Sequence, residues 1–155
     1  MNSQSALQLL NSIDATLSDI DKVSGVDILV DSYLAKFLVV YICGIYEEAI
    51  ETIFVDFVNR NTARQEIIAY ARKNIDKSFR NPDSGKLIEL AGMLGNSTWC
   101  STLKSMSPER IALDSIVNNK NDIAHGRGST ITLTDVRQYY KESRPLVEKF
   151  DELLA

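Results

Sequence analysis

Apolar side chains recur at three- and four-residue steps through most of this chain, and almost nowhere at two. Ala6, Leu10, Ile13, Leu17 and Ile20 form the first such row, the spacing of one face of an α-helix. They predict a helix over 3–23, which Ser24 and Gly25 end. A second segment, 31–61, has no proline and only Gly44 as an interruption, and it is apolar nearly all round from Phe37 to Tyr46. That pattern predicts a long central helix contacted on several sides. Thr62 with Gln65 reads as a capping box opening a third helix, which ends near Arg80 before Asn81-Pro82. Its apolar face is Ile68, Ala71, Ile75 and Phe79.

A short helix from Ser84 to Leu94 follows, closed by Gly95. Residues 96–106 fit either a loop or a helical turn. Ser107-Pro108 reads as the N-cap and first position of another helix, which runs through Ile111, Ile116 and Val117 and stops before Gly126. The alternation from Thr130 to Thr134 is too short to found a sheet. From Asp135 the apolar set Val136, Tyr139, Tyr140, Leu146, Val147 and Phe150 keeps helical phase through Pro145, predicting one kinked terminal helix. The fold expected is a single all-α domain over 1–155, a bundle of four to five helices with a long central helix and a kinked C-terminal one.

Composition narrows the class. With 45% hydrophobic and 25% charged residues the 155-residue chain matches ordinary globular domains, not disordered or collagenous ones. Seven Gly and three Pro supply too little turn chemistry for a sandwich or barrel. Cys43 and Cys100 belong to no CxxC pair, and with His125 they offer at most three soft ligands from unrelated segments, so no metal is expected. Both read as reduced, mostly buried thiols of a cytosolic protein. The longest uninterrupted apolar run, Phe37 to Tyr46, is shorter than a membrane span, and the first residues lack the basic region of a signal peptide. A cytoplasmic location away from the membrane is expected.

The net charge of -4 conceals an asymmetry: residues 1–58 carry two bases against nine acids, the remainder 15 against 12. The densest basic stretch is 60–80, with Arg60, Arg64, Arg72, Lys73, Lys77 and Arg80 against Glu66 and Asp76. Arg72, Lys73, Lys77 and Arg80 are weak candidates for RNA contact. An ordinary solvated helix face explains the same pattern.

Asn118, Asn119, Lys120, Asn121 and Asp122 put five consecutive polar residues at a helix end just before His125, the only histidine, and two glycines that let backbone approach a ligand closely. Imidazole exchanges protons near neutral pH. Lys120 supplies a candidate cation beside it. A plain structural account is available too, in which the polar side chains satisfy terminal carbonyls and His125 complements the helix dipole.

The segment Lys120-Asn121-Asp122-Ile123-Ala124-His125-Gly126 resembles the signature of HEPN domains: Arg, a polar residue that is commonly Asn, His or Asp, about three further residues, then His, at the C-terminal end of a helix. Asn121 and His125 match in type and spacing; Lys120 stands where the family has Arg. Tyr33 to Ile45 followed by Glu47-Glu48, and Gly126-Arg127-Gly128 leading to a last helix with Tyr139-Tyr140, are similar to the RiboL-PSP branch of that superfamily.

The resemblance implies a helical bundle that works as a homodimer. Catalytic members are metal-independent endoribonucleases, often toxins or antiphage effectors, in which the histidine assists attack by the ribose 2′-hydroxyl and the arginine stabilises the phosphorane. Carried onto this chain, the candidate catalytic residues are His125, Lys120 and Asn121, with Arg127 as a further RNA contact; Asp122 and Glu48, with its neighbour Glu47, are candidate orienting carboxylates, although a solvated patch on a long helix also explains the two glutamates. No cofactor is implied; the partners are RNA, a second copy and an antitoxin or defence-system protein. Guanidinium grips two phosphate oxygens at once whereas ammonium is a point charge, so a catalytically degenerate module that binds RNA or a protein stands as the alternative. The phase of Tyr139 and Tyr140 with Val136 and Leu146 reads as core packing.

Overall fold

A computed structural model covers residues 1–155 and describes all of them apart from the side chain of Ser78. Seven helices follow in order: α1 (Gln4–Asp21), α2 (Ile28–Asn61), α3 (Gln65–Ser78), α4 (Ser84–Met93), α5 (Ser97–Ser105), α6 (Ser107–Ala124) and α7 (Leu133–Leu153). The all-α class is as expected, but the helices number seven rather than four to five: each of the six periodic segments forms one, and 96–106 adds a further helix, α5. Asn96 caps it by accepting from the Thr98 and Trp99 amides.

Helix α2 is the central element and packs against α1, α3, α6 and α7. Ala35, Leu38, Val39, Ile42, Cys43, Tyr46, Ala49, Ile50 and Ile53 form its buried rows. They meet Leu10 and Ile13 of α1, Leu113 and Ile116 of α6, and Val136, Leu146, Val147 and Phe150 of α7 in one core. Side chains of this kind are worth roughly 1.5–3 kcal/mol each on full burial. Over 28–34 no residue of α2 is buried. By length and composition α2 could cross a membrane, with mean hydropathy 1.9 over 18 residues. The ten-residue count from sequence understated it, because that count stopped at each isolated polar residue.

Helix ends follow local chemistry, with two departures. Thr62 does not box with Gln65: it closes α2, and its hydroxyl accepts from the Arg64 amide. Helix α3 starts after Arg64 without a side-chain cap. The cap of α6 is Met106, so Ser107 and Pro108 already lie in its first turn. A capping box does form at Thr132 and Asp135, opening α7. Helix α7 continues through Pro145. Tyr140 is a core residue, as its phase predicted, and its hydroxyl donates to the Leu10 carbonyl (3.1 Å) and to Asp14 (2.9 Å). Tyr46 stacks beside it and shares a hydrogen bond with Ser143.

The first residues are fastened to the last helix. The buried Asp151 carboxylate accepts the backbone N–H groups of Asn2 and Ser3, while the Ser3 hydroxyl donates to Asp56 of α2. Arg60, near the end of α2, donates to the Leu154 carbonyl (2.6 Å).

Candidate functional site

Arg110, Asp114, Asn118, Asn121 and His125 recur along α6 at steps of four, four, three and four, which places them on one side of the helix. His125 is the C-cap: its backbone N–H donates to the Asn121 carbonyl at 3.0 Å and its side chain is exposed. Beyond it the chain turns through Gly126 at φ 67°. The Gly126 N–H donates to the Ile123 carbonyl and the Arg127 N–H to the Asp122 carbonyl, the paired bonds of a Schellman closure. Gly126 is therefore required by the turn itself rather than by the close approach of a ligand.

Lys120 lies on the neighbouring side of α6, half-buried. Its ammonium donates to Asn81 Oδ1 at 2.5 Å. Asn81 sits in the left-handed region at φ 57°, a conformation that asparagine tolerates better than other side chains. Its backbone N–H donates to Glu47 Oε2 at 3.1 Å. A chain of contacts thus runs from α2 through the α3–α4 connection to the motif cation. Cys43, one turn before Glu47, lies in the same field: burial pushes its thiol up to about 11, Lys120 pulls it back, and Glu47 adds to the rise. Lys120 makes no ion pair among the described residues.

A cleft of about 490 Å³ opens between the start of α4 and this side of α6, walled by Asn81, Ser84, Lys86, Arg110, Asn118 and Asn121 among others. Asp114 closes its floor, accepting from the Ser84 amide (2.7 Å) and hydroxyl (2.9 Å). Arg110 reaches the same hydroxyl through Nε at 3.4 Å.

The candidates do not all converge. Asn121 faces the cleft, Lys120 reaches its rim through Asn81, and His125 stands one turn further along α6. Asp122 and Arg127 pair with each other at 3.4 Å. Glu48 lines a different groove of about 880 Å³ between α2 and α3; it is the adjacent Glu47 that contacts the Lys120 chain. Arg72 and Lys73 line that second groove beside Glu48, Glu51, Asp56 and Asp76, so they belong to a mixed-charge surface. Lys77 and Arg80 are exposed. Asn81 is the residue that sequence reasoning missed, although its place before Pro82 marked a turn.

The family model RiboL-PSP-HEPN matches residues 2–155 of the chain. No curated protein matches it, and neither does any solved structure.

Proposed function

The chain belongs to the RiboL-PSP-HEPN family, and from that premise we propose that it is an endoribonuclease which cleaves RNA without a metal and acts in the cytosol as a toxin or antiphage effector. His125 takes the proton from a ribose 2′-hydroxyl as that oxygen attacks the adjacent phosphorus. The P–O5′ bond breaks and the departing oxygen takes up a proton from water, leaving a 2′,3′-cyclic phosphate and a 5′-hydroxyl. Lys120 offsets the charge that develops on the phosphorane. DNA lacks the nucleophile, so RNA is the substrate.

The observation that carries this reading is the partner of Lys120. A neutral amide oxygen holds the ammonium, so its orientation is set while its charge stays uncompensated by a carboxylate ion pair.

The working unit is a homodimer. Val30, Tyr33, Phe37, Val40 and Gly44 of α2 are all exposed and follow each other at alternating steps of three and four, the repeat of a helix seam that self-associates. Ile28, at 91% exposure, and Asp31 and Ser32 line one groove with Thr130–Thr134, the segment that follows the motif. Closing the seam on a second copy therefore brings two His125-bearing helix ends toward one another. The protomer's partner outside RNA is an antitoxin or defence-system protein.

Incubation with structured RNA in excess chelator tests the chemistry: the expected products end in 2′,3′-cyclic phosphate, and His125→Ala abolishes them while the helical circular dichroism stays unchanged. Sedimentation tests the assembly, with a dimer at tens of micromolar that Phe37→Glu dissociates. The second reading, an RNA- or protein-binding module without turnover, is favoured by one observation, lysine at 120 in place of the forked guanidinium. RNA that is bound but never cut, by the wild type and by Lys120→Arg alike, would select it.

A further inference from the structure

The cleft between α4 and α6 has a composition that the proton-transfer chemistry does not use. Its two carboxylates are committed to the protein: Asp114 accepts twice from Ser84, and Asp83 caps α4 through the Lys86 amide at 2.9 Å. Its cations are partly engaged as well, with Lys86 Nζ on the Arg80 carbonyl and Arg110 on Ser84 and the Lys104 carbonyl. Two positive and two negative groups leave the walls near neutrality, a poor environment for a dianionic phosphate. Their polarity is equally poor for an apolar side chain.

Two groups remain available. Asn118 and Asn121, one turn apart on α6, both line the cleft, and among the described residues neither amide side chain is hydrogen-bonded to the protein. A primary amide presents one donor and one acceptor face and pairs with the edge of a nucleobase, adenine above all. The volume of about 490 Å³ falls in the range of small-ligand sites, and His125 follows Asn121 by one turn on the same side of α6.

We infer that this cleft is a nucleotide subsite, in which the Asn118 and Asn121 amides read the base of the residue next to the scissile phosphate while Lys120 and His125 act on the phosphate itself. The inference rests on the ribonuclease reading for its place in a reaction, but the binding it describes stands apart from turnover.

The 155-residue chain with 15N-labelled side-chain amides is titrated with each of the four nucleoside 3′-monophosphates. Saturable shifts are expected at Asn118 and Asn121, strongest with the adenosine compound, and they persist in His125→Ala. Asn118→Ala, at an exposed position that leaves the fold alone, weakens binding about tenfold and blurs the nucleotide preference at RNA cleavage sites. Saturable shifts at these amides with no RNA cleavage by the wild type would uphold the subsite and remove the ribonuclease reading. RNA cleavage with a preference that Asn118→Ala leaves intact would overturn the subsite and spare the ribonuclease. Shifts that do not saturate, or that map to the groove between α2 and α3, overturn the subsite as well.

Discussion

The ammonium of Lys120 rests on the side-chain oxygen of Asn81, 2.5 Å away, although 39 positions separate them in the chain. Asn81 holds that oxygen in place only because it adopts a left-handed backbone and is anchored by Glu47. Asn81→Gly keeps the backbone conformation without strain and deletes the acceptor. RNA cleavage should then fall on the order of tenfold to a hundredfold, the scale of a misplaced catalytic group, with the circular dichroism unchanged. Lys120 should also become more reactive in reductive methylation followed by mass spectrometry. Unaltered reactivity would mean that Asn81 does not hold the cation.

Gly126→Ala isolates the turn that ends α6. The new methyl group meets nothing within 4 Å, so the cost comes from the left-handed conformation alone, about 1–2 kcal/mol. For a domain of this size that corresponds to a melting temperature lower by about 2–8 °C. Gly128→Ala, in open space and without positive φ, should change it little. Equal losses at the two sites in thermal denaturation would contradict the Schellman assignment.

Glu51 gives a stability effect with a definite pH sign. Burial first, then Glu47, Asp76 and Glu48, raise its carboxyl above its ordinary 4.5, and Arg80 opposes them. The folded chain holds this proton more tightly than the unfolded one, so the group costs stability at neutral pH and ceases to as pH falls through the raised value toward 4.5. Glu51→Gln should stabilise at pH 7 by about 0.5 kcal/mol or less, because solvent screens a half-exposed carboxyl. Denaturant melts should show the gain fading below about pH 4.5; a gain that persisted in acid would come from packing instead.

The two thiols should differ in reactivity. Cys43 is buried and its thiol is pushed up to about 11, which removes the thiolate that alkylating agents require. Cys100 is half-buried, beside Trp99, whose ring edge meets Phe57. Iodoacetamide at pH 8 should label Cys100 first, with Cys43 modified only after denaturant is added. Equal native rates would place Cys43 outside the core.

What the sequence made legible follows from the range over which each signal acts. Helix phase in α1, α2, α6 and α7 is repeated over many turns, and it survived the glycine at 44 and the proline at 145. Caps depend on one or two residues, and there Thr62 and Ser107 misled, because tertiary packing decided which turn each joined. The motif on α6 was readable since its members lie within one helix end. Asn81 and the cleft were not, since they meet Lys120 and Asn121 only after α2, α4 and α6 are assembled. Glu47 and Glu48 make the point within one dipeptide: adjacent residues on a helix diverge by about 100°, so one reaches the Lys120 chain and the other a separate groove.

The clasp at Asp151 sets the order in which the molecule can be completed. Its bonds to Asn2 and Ser3 span 149 and 148 positions, among the most distant pairings a chain of this length permits, and such contacts carry the largest loop-closure entropy. During synthesis α1 emerges before α7, and the amides of Asn2 and Ser3 have no acceptor there until residue 151 has been added. The nascent chain therefore waits, with α1 held only by α2, and the finished bundle locks when its last helix arrives.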